Sequence, residues 1–232
     1  MKRIALCGVV VLGLGACAAE DTGDLAPQPP GPGQSLADNK TDAKCPIVPA
    51  HVMPSSPSEV SCAPLGDTTN ALLADINQFW MSQTTACACG PDFPQSCTHN
   101  AFGTLTGWMY TSDEFIATLI ATRGVVTARS VLAHEFGHLI QGMYGKPELT
   151  QPTELQADCY SGYYLGSLVC RGLATEPDLV QTLANACIAA DGTGDPIADL
   201  QTHGTCEQRA SALAIGIHGY LTGTPALAAC RI

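Results

Sequence analysis

The chain has 232 residues, 46% of them hydrophobic and only 13% charged, with 21 Asp and Glu against ten Lys and Arg for a formal charge of −11. Like charges repel, so this composition argues against a binder of nucleic acid or of anionic membrane surfaces, and the apolar content argues against disorder throughout. The length suits one domain with a tail.

Met1, Lys2 and Arg3 form a short positive segment, followed by 12 apolar residues at 4–15. Twelve is too few to span a bilayer and fits the apolar core of an export signal. Leu14-Gly15-Ala16-Cys17 resembles a bacterial lipobox, in which Cys17 would carry the lipid. Cleavage as an A-x-A site at 16–18 is the alternative, and both mean export. Residues 1–16 are therefore expected to be a signal peptide. Residues 17–44 hold Pro27, Pro29, Pro30 and Pro32 with Gly31 and Gly33, and no Val, Ile or aromatic residue. A segment that can bury so little predicts a disordered tether.

Residues 45–232 are expected to form the globular domain. They contain Cys45, Cys62, Cys87, Cys89, Cys97, Cys159, Cys170, Cys187, Cys206 and Cys230. An even set in an exported chain predicts disulfides, five if all pair. Cys87 and Cys89 lack the spacing of a cysteine-zinc site. Residues 45–67 read as loop. Leu72, Leu73, Ile76, Phe79 and Trp80 predict a helix over 68–82. Residues 83–104 read as a disulfide-pinned loop and 106–111 as a short strand. Ser112, followed by Asp113 and Glu114, starts a helix running to about 120–121, with Gly124 as its breaker. Further helices are predicted over 126–141, 153–168, 176–189 and 205–220, the last with Thr205 and Gln208 at capping-box spacing. The fold class is mainly α with little strand.

The most informative stretch is His134-Glu135-Phe136-Gly137-His138, an HExxH motif. Residues i and i+4 lie one turn apart on a helix, so both imidazoles can meet one metal ion, with Glu135 beside them to take a proton from water. Leu132, Phe136, Leu139 and Met143 form an apolar stripe on roughly the opposite side. That pattern predicts a helix that buries one side and turns the other to a cleft. Gln141 and Tyr144 occupy the positions where the H-E-x-x-H-x-x-G-x-x-H motif needs Gly and a third His, which excludes that class. Acidic candidates for a third ligand are Glu148, Glu154 and Asp158. Glu154 and Asp158 share a helix face, so one could bind metal while the other accepts a hydrogen bond from a ligand imidazole.

HEFGH at 134–138, ELQADC at 154–159 and THGTCEQR at 202–209, in that order, resemble the neutral zinc metallopeptidase family of bacteria. The chain is similar more distantly to the prenyl-protein-processing and heat-shock membrane zinc proteases. Those carry HExxH, then E-x-x-x-D, then a His and an Arg six residues apart, as His203 and Arg209 are. The likeness covers about residues 98–220. It implies a zincin-like core in which the HExxH helix packs on the ExxxD helix. It implies one zinc ion held by His134, His138 and Glu154, Glu135 as general base, and Asp158 as hydrogen-bond partner of a ligand. It also places His203 and Arg209 near the site, where either could stabilise an oxyanion; Arg209 could equally pair with a carboxylate to hold the last helix. Tyr144, Tyr160, Tyr163 and Tyr164 could donate to an oxyanion or belong to the core. Cys206 stands where serine is usual, and the loop between the metal helices is short. Cys159 and Cys206 are accordingly expected in disulfides that pin the motif helices.

The expected function is that of an exported, gluzincin-like zinc metalloendopeptidase acting on protein or peptide substrates. It is expected to be monomeric, without nucleic-acid partners, and either anchored to the cell envelope through Cys17 or secreted. Two other readings stay open: a non-catalytic metal-binding envelope lipoprotein, and a metal-dependent amidase of cell-wall peptides.

Overall fold

The computed structural model describes residues 65–80, 86–88, 100–103, 109–145, 150–190 and 203–231. All belong to the unit Cys45–Ile232. The signal peptide, Cys17, the tether, Cys45, Cys62, Cys89, Cys97 and Glu148 lie outside the described residues.

The described part is mainly helical. Helix α1, Asp67–Trp80, buries Leu72, Leu73, Ile76 and Trp80 of the stripe its periodicity predicts, with Phe79 half-buried. Helix α2, Asp113–Arg123, is capped by Ser112, whose Oγ accepts the Phe115 N–H at 3.1 Å. The Asp113 carboxylate also takes the Gly66 N–H at 2.7 Å and the Thr69 hydroxyl at 2.5 Å, tying the starts of α1 and α2 together. Gly124, at φ 84°, ends α2 and turns the chain directly into α3, Val125–Met143. A side chain at that φ would strain the backbone, so glycine suits the corner.

Helix α4, Gln151–Cys170, begins two residues before the predicted 153, because Thr150 and Thr153 form a capping box and Pro152 fits the first turn. Helix α5 is Glu176–Ile188. Helix α6, Cys206–Leu221, starts at the predicted box: Gln208 N–H donates to Thr205 Oγ1 at 3.3 Å and Thr205 N–H to Gln208 Oε1 at 2.8 Å. A short α7, Ala226–Ala229, follows.

Strands β1 (Ala86–Ala88), β2 (Phe102–Gly103) and β3 (Met109–Thr111) form a sheet in the order β1-β3-β2, with β1 parallel and β2 antiparallel to β3. The predicted loop over 83–104 thus contains two strands. Two or three residues carry no readable alternation, and it is pairing with β3 that satisfies their backbone groups. Strand β3 covers the last three residues of the strand predicted at 106–111.

Helix α4 packs against both α6 and α3. Small residues allow the close approaches. A Cβ at Gly216 would run into the Cys159 carbonyl oxygen, and one at Gly162 into that of Leu213. A Cβ at Gly137 would stand 2.8 Å from Ala157 Cα. Mid-helix glycine costs about 1 kcal/mol relative to alanine, so glycines here mark positions where backbones must meet. One consequence corrects the sequence reading of α3. Every residue from Leu132 to Gln141 is buried, the histidine side included, whereas Met143, assigned to the apolar stripe, is 37% exposed. Helical periodicity marks the apolar side; it does not show that α4 covers the polar one.

Cys159 pairs with Cys230, tying α4 to the end of α7, and Cys187 pairs with Cys206, tying α5 to α6. Both Cys159 and Cys206 are thus in disulfides, as expected. Cys170 is disulfide-bonded too. No described helix is long and apolar enough to cross a membrane.

Candidate metal centre

The crossing of α3 and α4 builds the centre. His134 and His138 stand on either side of Gly137 in sequence, and Glu154 and Asp158 likewise flank Ala157, the residue Gly137 meets. His134, His138 and Glu154 are buried, and each offers a ligand atom within 4.8 Å of the others. Nε2 of His134 is 3.2 Å from Glu154 Oε2, and Nε2 of His138 is 3.5 Å from Oε1.

The opposite ring nitrogens are held from behind. His134 Nδ1 lies 2.8 Å from Asp158 Oδ1 and His138 Nδ1 lies 2.9 Å from Gln141 Oε1. A carboxylate oxygen and an amide oxygen both accept hydrogen bonds, so each imidazole donates from Nδ1 and turns Nε2 toward Glu154. Glu154 Oε2 is buried and accepts no hydrogen bond. A buried oxygen left unpartnered is costly; the two Glu154 oxygens face one imidazole nitrogen each, Oε2 that of His134 and Oε1 that of His138, a donor set that a cation would satisfy.

The charges say the same. Burial opposes ionisation of Asp158, but His134 and Arg209 hold its carboxyl down at about 2. Burial also opposes ionisation of Glu154, and neighbouring His134 and His138 again hold it at about 2. Against its own burial, His134 is pushed up to about 10 by Asp158 and Glu154. The pocket demands positive charge, and a metal cation meets the same demand as that proton. His138 is pushed down by burial and by the charge of His134. Among the described residues, this buried His-His-Glu group is the cluster that could hold a metal ion.

Glu135 lies beside this cluster and reaches β2, where Gly103 N–H donates to its Oε2 at 2.6 Å. A Cβ at Gly103 would run into the Glu135 carbonyl, so glycine is required for the approach. Burial pushes the Glu135 carboxyl up to about 7.

Arg209 takes the carboxylate-pairing alternative. Its Nε donates to Asp158 Oδ2 and its Nη2 to Oδ1, each at 2.8 Å, and its Nη1 donates to the Ala189 carbonyl at 2.7 Å. It therefore joins α6, α4 and the end of α5 behind the metal ligands. His203 Nε2 stands 4.0 Å from Glu154 Oε2 and is more exposed than the two HExxH histidines. Tyr163 and Tyr164 are buried among Phe79, Trp80 and Tyr220, and the Tyr164 hydroxyl donates to Asp75. Tyr160 packs edge-on to Trp80, with burial pushing its phenol up to about 12. Tyr144, just after α3, is exposed.

Three contributors escape a reading of the sequence alone. Gln141 excludes a motif class by its identity, and its i+3 spacing from His138 is the signal that it can reach that imidazole. Gly137 lies inside HEFGH as a mid-helix glycine, a signal of close packing. Gly103 gave no signal, because only the fold brings β2 to α3. No protein-family model, no curated protein and no solved structure matches this chain.

Proposed function

We propose that the chain is an exported zinc-dependent endopeptidase of the neutral zinc metallopeptidase kind, with a zincin-like core formed by α3 and α4. The observation that carries this reading is the convergence of His134 Nε2, His138 Nε2 and the unpartnered Glu154 oxygen, with the Glu135 carboxylate adjoining. Two imidazoles and one carboxylate suit zinc and leave a coordination position open.

When bound, zinc supplies Lewis acidity, acidifying water and polarising a carbonyl. Glu135 Oε2 is engaged by Gly103, which leaves Oε1 to take the proton of the attacking water and return it to the leaving amine. A carboxyl near pH 7 is matched to both transfers. His203, more exposed and 4.0 Å from Glu154 Oε2, would donate to the oxyanion of the attacked carbonyl. Arg209 is committed to Asp158 and acts by holding that carboxylate ionised against His134. A purely structural metal site would use Glu135 only for its bond to Gly103 and would have no need of its second oxygen. The substrate is a protein or peptide, the enzyme is a monomer, and Cys17 anchors it to the cell envelope unless it is released.

The test compares the purified domain with Glu135→Gln. About one zinc per chain is expected in both by elemental analysis. Hydrolysis of an unfolded protein substrate should fall by about 10²–10⁴-fold in the variant. No zinc in the unmutated protein, or equal hydrolysis by both, overturns the reading.

A further inference from the structure

The polar atoms behind His138 form a chain whose direction is forced from its far ends. Gln141 is 1% exposed. Its Nε2 lies 2.5 Å from the Thr153 carbonyl oxygen, in the first turn of α4, and 3.3 Å from Gln156 Oε1. Gln156 Nε2 in turn donates to the Cys230 carbonyl at 2.8 Å. Backbone carbonyls only accept hydrogen bonds. Cys230 therefore sets which way the Gln156 amide points, and Thr153 and Gln156 together set that of Gln141. Turning either amide over would press oxygen against oxygen. The Gln141 oxygen must then face His138 Nδ1, 2.9 Å away, and that nitrogen must carry the proton.

We propose that Gln141 is a positioning residue that locks His138 in the Nδ1–H tautomer and so presents a bare Nε2 lone pair to the metal. This rests on reading the site as a metal centre. Gln141 does for His138 what Asp158 does for His134, but with a neutral acceptor. The second ligand is oriented without adding a fourth carboxylate to a pocket that already holds Glu135, Glu154 and Asp158. The lock also links the ligand to the start of α4, which carries Glu154, and through Gln156 to the disulfide-bonded Cys230. A glutamine that merely filled space would need none of these directions.

The test reads the tautomer and the metal separately. In the metal-free chain labelled with 15N-histidine, at mildly alkaline pH, two-bond 1H–15N correlations show which ring nitrogen is protonated. His138 should be Nδ1–H in the unmutated chain and a mixture of tautomers in Gln141→Leu. The zinc Kd, measured by competition with a chromogenic chelator, should rise about 10–100-fold in the variant. A proton on Nε2 of His138 in the unmutated chain overturns the proposal, and this measurement decides the matter even if the variant fails to fold. An unchanged zinc Kd in folded Gln141→Leu overturns it too, leaving the metal centre intact. Failure of the unmutated chain to take up zinc would instead remove the metal centre itself.

Discussion

Gly137→Ala tests whether the α3–α4 approach sets the metal geometry. The added Cβ would stand 2.8 Å from Ala157 Cα, 3.0 Å from its Cβ and 3.2 Å from its carbonyl oxygen. Carbon atoms pack at about 3.5–4.0 Å, so the helices would have to separate by roughly 0.7 Å at this point. On an open helix surface the same substitution stabilises by about 1 kcal/mol. Overpacking costs about 1–3 kcal/mol, so the net expectation is a loss of about 0–2 kcal/mol. His134 and His138 lie on one side of the separation and Glu154 on the other. Metal–ligand distances tolerate only about 0.2 Å, and the separation exceeds that. Zinc affinity should therefore drop by about 10–100-fold, the scale of lost outer-shell support. Urea unfolding reads the first effect and chelator competition the second. A variant more stable by the full helix-propensity gain, with unchanged zinc affinity, would refute the reasoning.

Two further predictions concern the scaffold. Chain entropy assigns about 4 kcal/mol to Cys159–Cys230, across a separation of 71, and about 3 kcal/mol to Cys187–Cys206, across 19. Replacing the first pair by alanines should lower the urea midpoint more than replacing the second, and the reverse order would count against loop closure as the source of stability. Asp75 gives a pH signature. Burial opposes its ionisation, but Arg171, Tyr164 and Arg129 together hold its pKa below the ordinary 3.8. A depressed folded pKa contributes stability that is complete above 3.8 and is lost as pH falls through the folded value. Asp75→Asn should therefore destabilise the chain at neutral pH, with a gap that narrows on acidification below 3.8. A gap in unfolding free energy that stays constant through that range would exclude the linkage.

The centre is held from two directions that differ in kind. On the Asp158 side the support is ionic: Arg209 reaches from α6 with two 2.8 Å bonds and braces itself on the Ala189 carbonyl. A buried carboxylate needs such a partner, because unpaired it would take up a proton and release His134. On the His138 side the support is a line of neutral amides ending on backbone carbonyls. The two disulfides bear on these supports. Cys159 adjoins Asp158 in sequence and bonds Cys230, whose carbonyl anchors Gln156, while Cys206 lies three residues before Arg209.

Much of this centre is local chemistry and was legible in the sequence. Residues i and i+4 share a helix face whatever surrounds the helix, so His134 with His138 and Glu154 with Asp158 could be paired before any fold was known. Helix starts at Ser112 and Thr205 were legible for the same reason, since a cap is a contact across three residues. The tertiary structure decided what depends on distant segments meeting. Strands β1 and β2 exist because β3 pairs with them. Gly103 reaches Glu135 across 32 positions, and Arg209 reaches Asp158 across 51. Burial on the histidine side of α3 follows from a glycine–alanine crossing with α4 that hydropathy cannot express. Sequence by itself determined which residue types could bind a metal. Only the fold decided that they face one another in a buried site, because burying two imidazoles and two carboxylates together becomes tolerable only when their charges offset one another.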